Sequence, residues 1–139
     1  MLTQRRSQLS WTKRTAVMLA AVASVLGASV IASPAANAAV YSSCDVAGCD
    51  SAASANSTWS SMGYPTDRGW YDWPTGQCSY AGGQFSNYEG ELPSGDTYYE
   101  YDVYPRSCGA HRDAVRIVVD FSTGAVYYSP DHYANFYQL

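Results

Sequence analysis

The sharpest alternation in the chain runs through Thr97-Tyr98-Tyr99-Glu100-Tyr101-Asp102-Val103-Tyr104. Aromatic and β-branched residues with charge on alternate positions predict an extended strand. In that conformation Tyr98, Glu100, Asp102 and Tyr104 point one way, and Tyr99, Tyr101 and Val103 the other. The second set is apolar enough to pack a core, while the first holds a carboxylate among tyrosines. Arg116–Phe121 is the strongest strand by composition, Ser122-Thr123-Gly124 reads as a hairpin turn, and Ala125–Tyr128 as the returning strand. Ser129-Pro130-Asp131 breaks that strand, and His132–Tyr137 closes the sheet.

The pattern changes upstream. Ala52, Ala55, Trp59 and Met62 recur at three- and four-residue intervals, which predicts a short helix over residues 51–62 with Asp50 as its cap and Gly63 as its stop. Tyr64 to Gly83 is rich in Gly, Pro and aromatic residues and reads as loop, with one short strand near Cys78–Tyr80. A strand at Gln84–Phe85 leads into the turn Ser86–Gly90, and Leu92–Asp96 turns the chain back. One helix followed by consecutive antiparallel strands gives an α+β fold, the helix packed on a twisted antiparallel sheet of four to five strands.

The N-terminus has a different character. Arg5, Arg6, Lys13 and Arg14 precede a weakly polar run from Ala16 to Ala32 and then Ser33-Pro34-Ala35-Ala36-Asn37-Ala38. This is the order of a secretory signal peptide cut after Ala38. A membrane anchor is the alternative, since the run approaches the ~20 residues that span a bilayer. Its Ala, Gly and Ser content and the small-residue cleavage pattern favour the signal peptide. Residues 1–38 are therefore expected to be removed, leaving residues 39–139 as a single secreted domain, monomeric by default and without membrane attachment.

Cleavage alters the charge. Half of the eight Lys and Arg lie before the cut and none of the twelve Asp and Glu do, so the remainder carries a net −8 and no lysine. A general polyanion binder would be basic. Nucleic acid would have to be handled at a small site by a few placed arginines, which draws attention to Arg68, Arg106, Arg112 and Arg116. The four cysteines all follow the cut, and in a secreted chain they read as two disulfides. Cys44–Cys49 would close a short loop. Antiparallel pairing of the strands before and after the Ser86–Asp96 turns would bring Cys78 beside Cys108. Their spacing does not suit a metal site, and no cofactor is expected.

Each candidate for chemistry has an ordinary alternative. Glu100 suits a solvated strand face, Arg112 and Arg116 suit surface pairs with Asp113 and Asp120, and His132 and His111 suit loops. Together, Glu100, the two arginines and His132 fit one need. Cleaving RNA at its 2′-hydroxyl requires a base for that hydroxyl, cations for the phosphate and an acid for the departing 5′-oxygen. A carboxylate can accept two hydrogen bonds from guanine, while loop amides donate to its carbonyl and aromatic rings sandwich it; Glu89 taken by itself suits a hydrogen bond within its own tight loop.

From Phe85 to the C-terminus the chain resembles the secreted microbial guanyl-specific ribonucleases, the group that includes barnase and its bacterial and fungal relatives. Phe85-Ser86-Asn87-Tyr88-Glu89 with Leu92-Pro93 is similar to the guanine-binding loop, and Tyr99-Glu100-Tyr101 to the catalytic-glutamate strand. Arg112 and Arg116 before Ile117-Val118 are similar to the bacterial arginine pair, and Asp131-His132-Tyr133-Ala134 to the catalytic-histidine segment. The resemblance implies Glu100 as general base, Arg112 and Arg116 on the phosphoryl oxygens, and His132 as general acid. It further implies Glu89 as the guanine reader, the backbone of Asn87 and Tyr88 completing recognition, and Phe85, Tyr88 and Tyr133 as stacking or wall residues. Single-stranded RNA is the implied substrate and a small intracellular protein inhibitor an implied partner. Fungal members carry a further histidine just before the loop, where this chain has Ala81-Gly82-Gly83-Gln84. His111 matches nothing.

The arginine spacing carries a geometric condition. Extended residues four apart lie roughly 13 Å from each other, so Arg112 must sit on a segment that folds back if both are to serve one phosphate. Two other classes stand beside the ribonuclease reading. A non-catalytic secreted binding module, directed at carbohydrate or protein, is suggested by thirteen tyrosines with Trp70 and Trp73 as a carbohydrate platform. A glycosidase using Glu89 and Glu100 would leave Arg112, Arg116 and His132 without a role.

Overall fold

A computed structural model describes residues 38–139 of the chain; the expected signal peptide, all but its last residue Ala38, lies outside the described residues. One helix, α1 (Cys49–Ser61), accompanies seven strands: β1 (Ala39–Tyr41), β2 (Gly69–Asp72), β3 (Cys78–Phe85), β4 (Tyr98–Asp102), β5 (Arg116–Asp120), β6 (Val126–Ser129) and β7 (Asn135–Gln138). All seven form one sheet in the order β1-β7-β6-β5-β4-β3-β2. The pairs from β2 to β7 are antiparallel, whereas β1 runs parallel to β7. The expectation of one helix on four to five antiparallel strands is thus corrected to a mixed, mostly β, seven-stranded sheet.

The two extra strands have physical causes. β2, and β3 as far as Gly83, lie in the Gly- and Pro-rich stretch that reads as loop apart from a short strand near Cys78–Tyr80. Trp70 and Tyr80 face each other across that pair, edge to face at 5.2 Å, the kind of cross-strand aromatic contact that stabilises a ribbon of weak β formers. β1 is three residues long and owes its structure to a partner almost a hundred residues away in sequence.

The N-cap of the helix is Gly48 rather than Asp50, which lies in the first turn where its charge suits the helix N-terminus. Gly48 has φ +95°, and a Cβ there would run into the Tyr128 hydroxyl. The far end stops as expected: Gly63 (φ +75°) and Tyr64 donate back to the carbonyls of Ser60 and Trp59. Ala52, Ala55 and Trp59 are buried against Trp73, Tyr101, Val103, Ile117, Val119 and Tyr128. The Trp59 indole N–H donates to the Asp102 carbonyl at 2.9 Å, which ties the helix to β4.

The opposite sheet face is also covered. Leu92, Tyr98, Val118, Tyr127 and Phe136 form a second core. β4 is therefore buried on both sides, with Glu100 and Asp102 nearly or wholly shielded from water. Disulfides join Cys44 to Cys49 and Cys78 to Cys108. The second is reinforced by paired backbone hydrogen bonds between Cys78 and Arg106, the juxtaposition that antiparallel β3 and β4 require.

Candidate active site

The register of three strands builds the centre. Glu100 lies opposite Val118 on β5, and Asp102 opposite Arg116. On the other side the β3–β4 register slips between Ala81 and Gly83, which makes Gly82 a bulge residue. That bulge sits directly against the Glu100 side chain: a Cβ on Gly82 would lie 1.6 Å from Oε1. Only a residue without a side chain leaves the carboxylate in place.

Asp102 organises the cations. It is fully buried, and its Oδ1 accepts from Arg112 Nη2 at 2.6 Å and Nε at 2.9 Å, with Arg116 Nη1 at 3.2 Å. Arg106 Nε stands 4.0 Å from Oδ2. A carboxylate this deep is tolerated because guanidinium groups surround it. Arg112 then reaches Glu100, both Nη atoms lying 3.5 Å from Oε1, and its guanidinium lies over the Tyr80 ring at 4.3 Å.

Arg112 precedes β5 on a non-strand segment while Arg116 opens the strand. The geometric condition is met by this folding back, and the two arginines share Asp102. Burial pulls the Arg116 guanidinium below its ordinary value, and Arg112 adds to that, while Asp102, Glu100 and Asp113 oppose it. Burial alone would raise the Asp113 carboxyl. Hydrogen bonds from Arg106 and the Val115 amide, with the charges of Arg106 and Arg116, hold it below the ordinary carboxylate value.

The segment after β3 forms the other side of the site. Asn87 has φ +48°, and its side chain bridges the loop: Nδ2 donates to the Leu92 carbonyl at 2.9 Å, and the Leu92 amide donates to Oδ1 at 3.2 Å. This peptide-like brace holds Tyr88 and Glu89 out at the surface, Tyr88 being 91% exposed. A cleft of about 200 Å³ is lined by Arg68, Phe85, Asn87, Tyr88, Glu89 and Glu100, among others.

His132 and Tyr133 occupy a turn with φ +56° and +72°. For non-glycine residues such values carry strain, which the surroundings must hold. The His132 amide donates to the Ala114 carbonyl at 2.9 Å, and the Tyr133 amide to Ser129 Oγ at 2.8 Å. The turn is thereby fastened to the segment between Arg112 and Arg116. The Tyr133 ring packs on Phe85 at 4.7 Å, beside the loop. The His132 side chain is exposed, and it does not line the Glu89–Glu100 cleft.

Glu100, Arg112 and Arg116 thus form one ionic network. Phe85, Asn87, Tyr88 and Glu89 share a cleft with Glu100, and Tyr133 joins them through its ring contact with Phe85; the His132 side chain is not brought into this cleft, and only its amide ties it to Ala114. Trp73 is buried against Trp59 at 5.0 Å, so it does not belong to an exposed carbohydrate platform. Sequence reasoning missed Asp102 as the anchor of the arginines, although its place two residues after Glu100 on the same strand face was visible. It also missed Tyr80 beneath Arg112, and it singled out Arg68 as a cation without placing it in the cleft.

A family model described as ribonuclease matches residues 32–139. With most of its 139 residues matched, the chain belongs to the ribonuclease family. No curated protein matches it. RNA is accordingly its substrate class and cleavage of RNA its activity.

Proposed function

We propose that the protein is a secreted, metal-independent endoribonuclease that cuts single-stranded RNA on the 3′ side of guanosine. The observation that carries this reading is the cleft in which Glu89 and Glu100 meet, with Arg112 against the same Glu100 carboxylate. A guanosine whose base edge is read by Glu89 and the loop amides directs its ribose toward Glu100. Tyr88, exposed on the loop, and Phe85 with Tyr133 supply aromatic surface for the base.

Glu100 takes the proton of the 2′-hydroxyl. The 2′-oxygen bonds to phosphorus, and the bond from phosphorus to the 5′-oxygen breaks. His132, protonated, gives its proton to that leaving oxygen. Arg112 and Arg116 offset the charge that gathers on the phosphoryl oxygens. The product is a guanosine 2′,3′-cyclic phosphate. Its hydrolysis reverses the roles: His132 takes a proton from water and Glu100 returns one to the 2′-oxygen. Secretion rests on the N-terminal pattern and is compatible with the two disulfides.

The test is cleavage of GpN, ApN, CpN and UpN dinucleotides by the oxidised residue 39–139 protein in the presence of EDTA, with products identified by mass. Selective GpN cleavage through the cyclic phosphate is expected. Glu100→Gln and His132→Ala should remove nearly all activity, while Glu89→Gln should erase base preference and leave a measurable rate. Equal cleavage of all four substrates would overturn the base assignment, and full activity in Glu100→Gln would overturn the mechanism.

A further inference from the structure

The cations of this protein are unequally committed. Residues 39–139 contain four arginines and no lysine. Arg106, Arg112 and Arg116 each pair with Asp102, and two of them also with Asp113. Arg68 alone among these makes no ion pair within the described residues. Its one side-chain hydrogen bond runs from Nε to the Gly82 carbonyl at 2.7 Å.

That bond aims the arginine. Gly82 is the bulge residue that abuts the Glu100 carboxylate. Arg68 also passes over Gly83, where a Cβ would meet Arg68 Cβ at 3.6 Å and Nε at 3.9 Å. An arginine just ahead of β2 thus lies against β3 and lines the cleft shared by Glu89 and Glu100. Its two Nη groups pair with no carboxylate among the described residues.

We infer that Arg68 is a substrate-phosphate ligand, holding a non-bridging oxygen of the phosphodiester 3′ to the bound guanosine. The inference rests on the guanosine reading above: a base at Glu89 and a 2′-hydroxyl at Glu100 bring the 3′-phosphate into the cleft whose wall Arg68 shares. Arg112 and Arg116 bring charge that Asp102 and Glu100 already offset in part. Arg68 brings a positive charge that no carboxylate among the described residues pairs with, in a domain otherwise strongly acidic. A guanidinium also has the planar fork that a phosphate accepts.

The test compares binding of guanosine and guanosine 3′-monophosphate to the wild type, Arg68→Gln and Arg68→Lys by titration calorimetry, with thermal melts alongside. Loss of a charge-assisted hydrogen bond should weaken the nucleotide about tenfold or more in Arg68→Gln, with guanosine affinity and the melting temperature held. Arg68→Lys should recover most of the difference. Equal weakening of both ligands in both variants, with a lower melting temperature, would reduce Arg68 to a brace for the Gly82 carbonyl. An unchanged affinity ratio in Arg68→Gln would equally overturn the inference while leaving the ribonuclease assignment standing. A wild type that cleaves no GpN and binds neither ligand would overturn that assignment, and this inference with it.

Discussion

Replacing Gly82 with alanine adds one methyl group where the structure has no room. The new Cβ would lie 1.6 Å from Glu100 Oε1, 2.3 Å from Cδ and 2.5 Å from Cγ, against 3.4–4 Å for ordinary contact. Restoring contact displaces the carboxylate by at least about 1.8 Å. The backbone of Gly82 does not demand glycine, since its φ lies outside the left-handed range, unlike that of Gly83 at +78°. The substitution should thus act on the position of Glu100 more than on the fold. Overpacking of this kind costs about 1–3 kcal/mol, whereas shifting a catalytic group by an ångström costs about 100-fold in rate. The assay is kcat/KM on GpU, with guanosine affinity and a urea midpoint as controls. An approximately 100-fold loss of rate is expected at near-constant guanosine affinity. The decisive comparison is Gly82→Ala in a Glu100→Ala background, where the added loss should shrink to within about twofold. Near wild-type activity in the single variant, or an undiminished loss in the double one, would refute the account of Gly82 as the seat of Glu100.

Three further outcomes follow from the geometry. Asp102→Asn leaves Arg112 and Arg116 without their shared buried counter-ion and should lower stability by about 3–5 kcal/mol in urea unfolding, with activity falling as both arginines lose their anchor. Asn87→Ala removes both hydrogen bonds to Leu92 and sets alanine at positive φ, so about 1–3 kcal/mol should be lost along with guanosine affinity; Asn87→Gly, which tolerates the angle, should lose less. Burial alone would raise the Asp120 carboxyl, but donors from Thr123 and Ser122 hold it below 3.8. Its contribution is fully present above that unfolded value and disappears as pH falls through the lower folded one. Thermal melts between about pH 2 and 6 should show the wild-type advantage over Asp120→Asn closing in acid.

The legible parts of this chain were those whose partners are near in sequence. The β5–β6 hairpin, the helix stripe of Ala52, Ala55 and Trp59, and the alternation along β4 all depend on local spacing. The turn after β3 was also visible, because Asn87, Gly90 and Pro93 are turn formers in their own right. What escaped depends on distant partners. β1 exists because β7 lies beside it, and β2 because Trp70 meets Tyr80. The second core behind β4 could not be read from a strand pattern that showed one polar face. Among the site residues, the approach of Arg112 to Glu100 and Asp102 required knowing that the chain folds back before Arg116. Arg68 lay in a segment without strand signal, and its direction depends on a hydrogen bond to the Gly82 carbonyl on a neighbouring strand.

The Cys78–Cys108 bond encloses β3, the Asn87–Glu89 loop and β4 within one covalent ring of the chain. The most exposed part of that ring is the loop itself, where Tyr88, Glu89 and Gly90 stand in solvent. A protease that clips the backbone there would not release a fragment: the two new ends would stay on the same tether, held also by the ladder between β3 and β4. Digestion should therefore yield a nicked molecule of unchanged mass, plus one water, until a reductant is added. Its surviving cleavage rate would report how much of the work depends on an unbroken loop and how much on the strands beneath it.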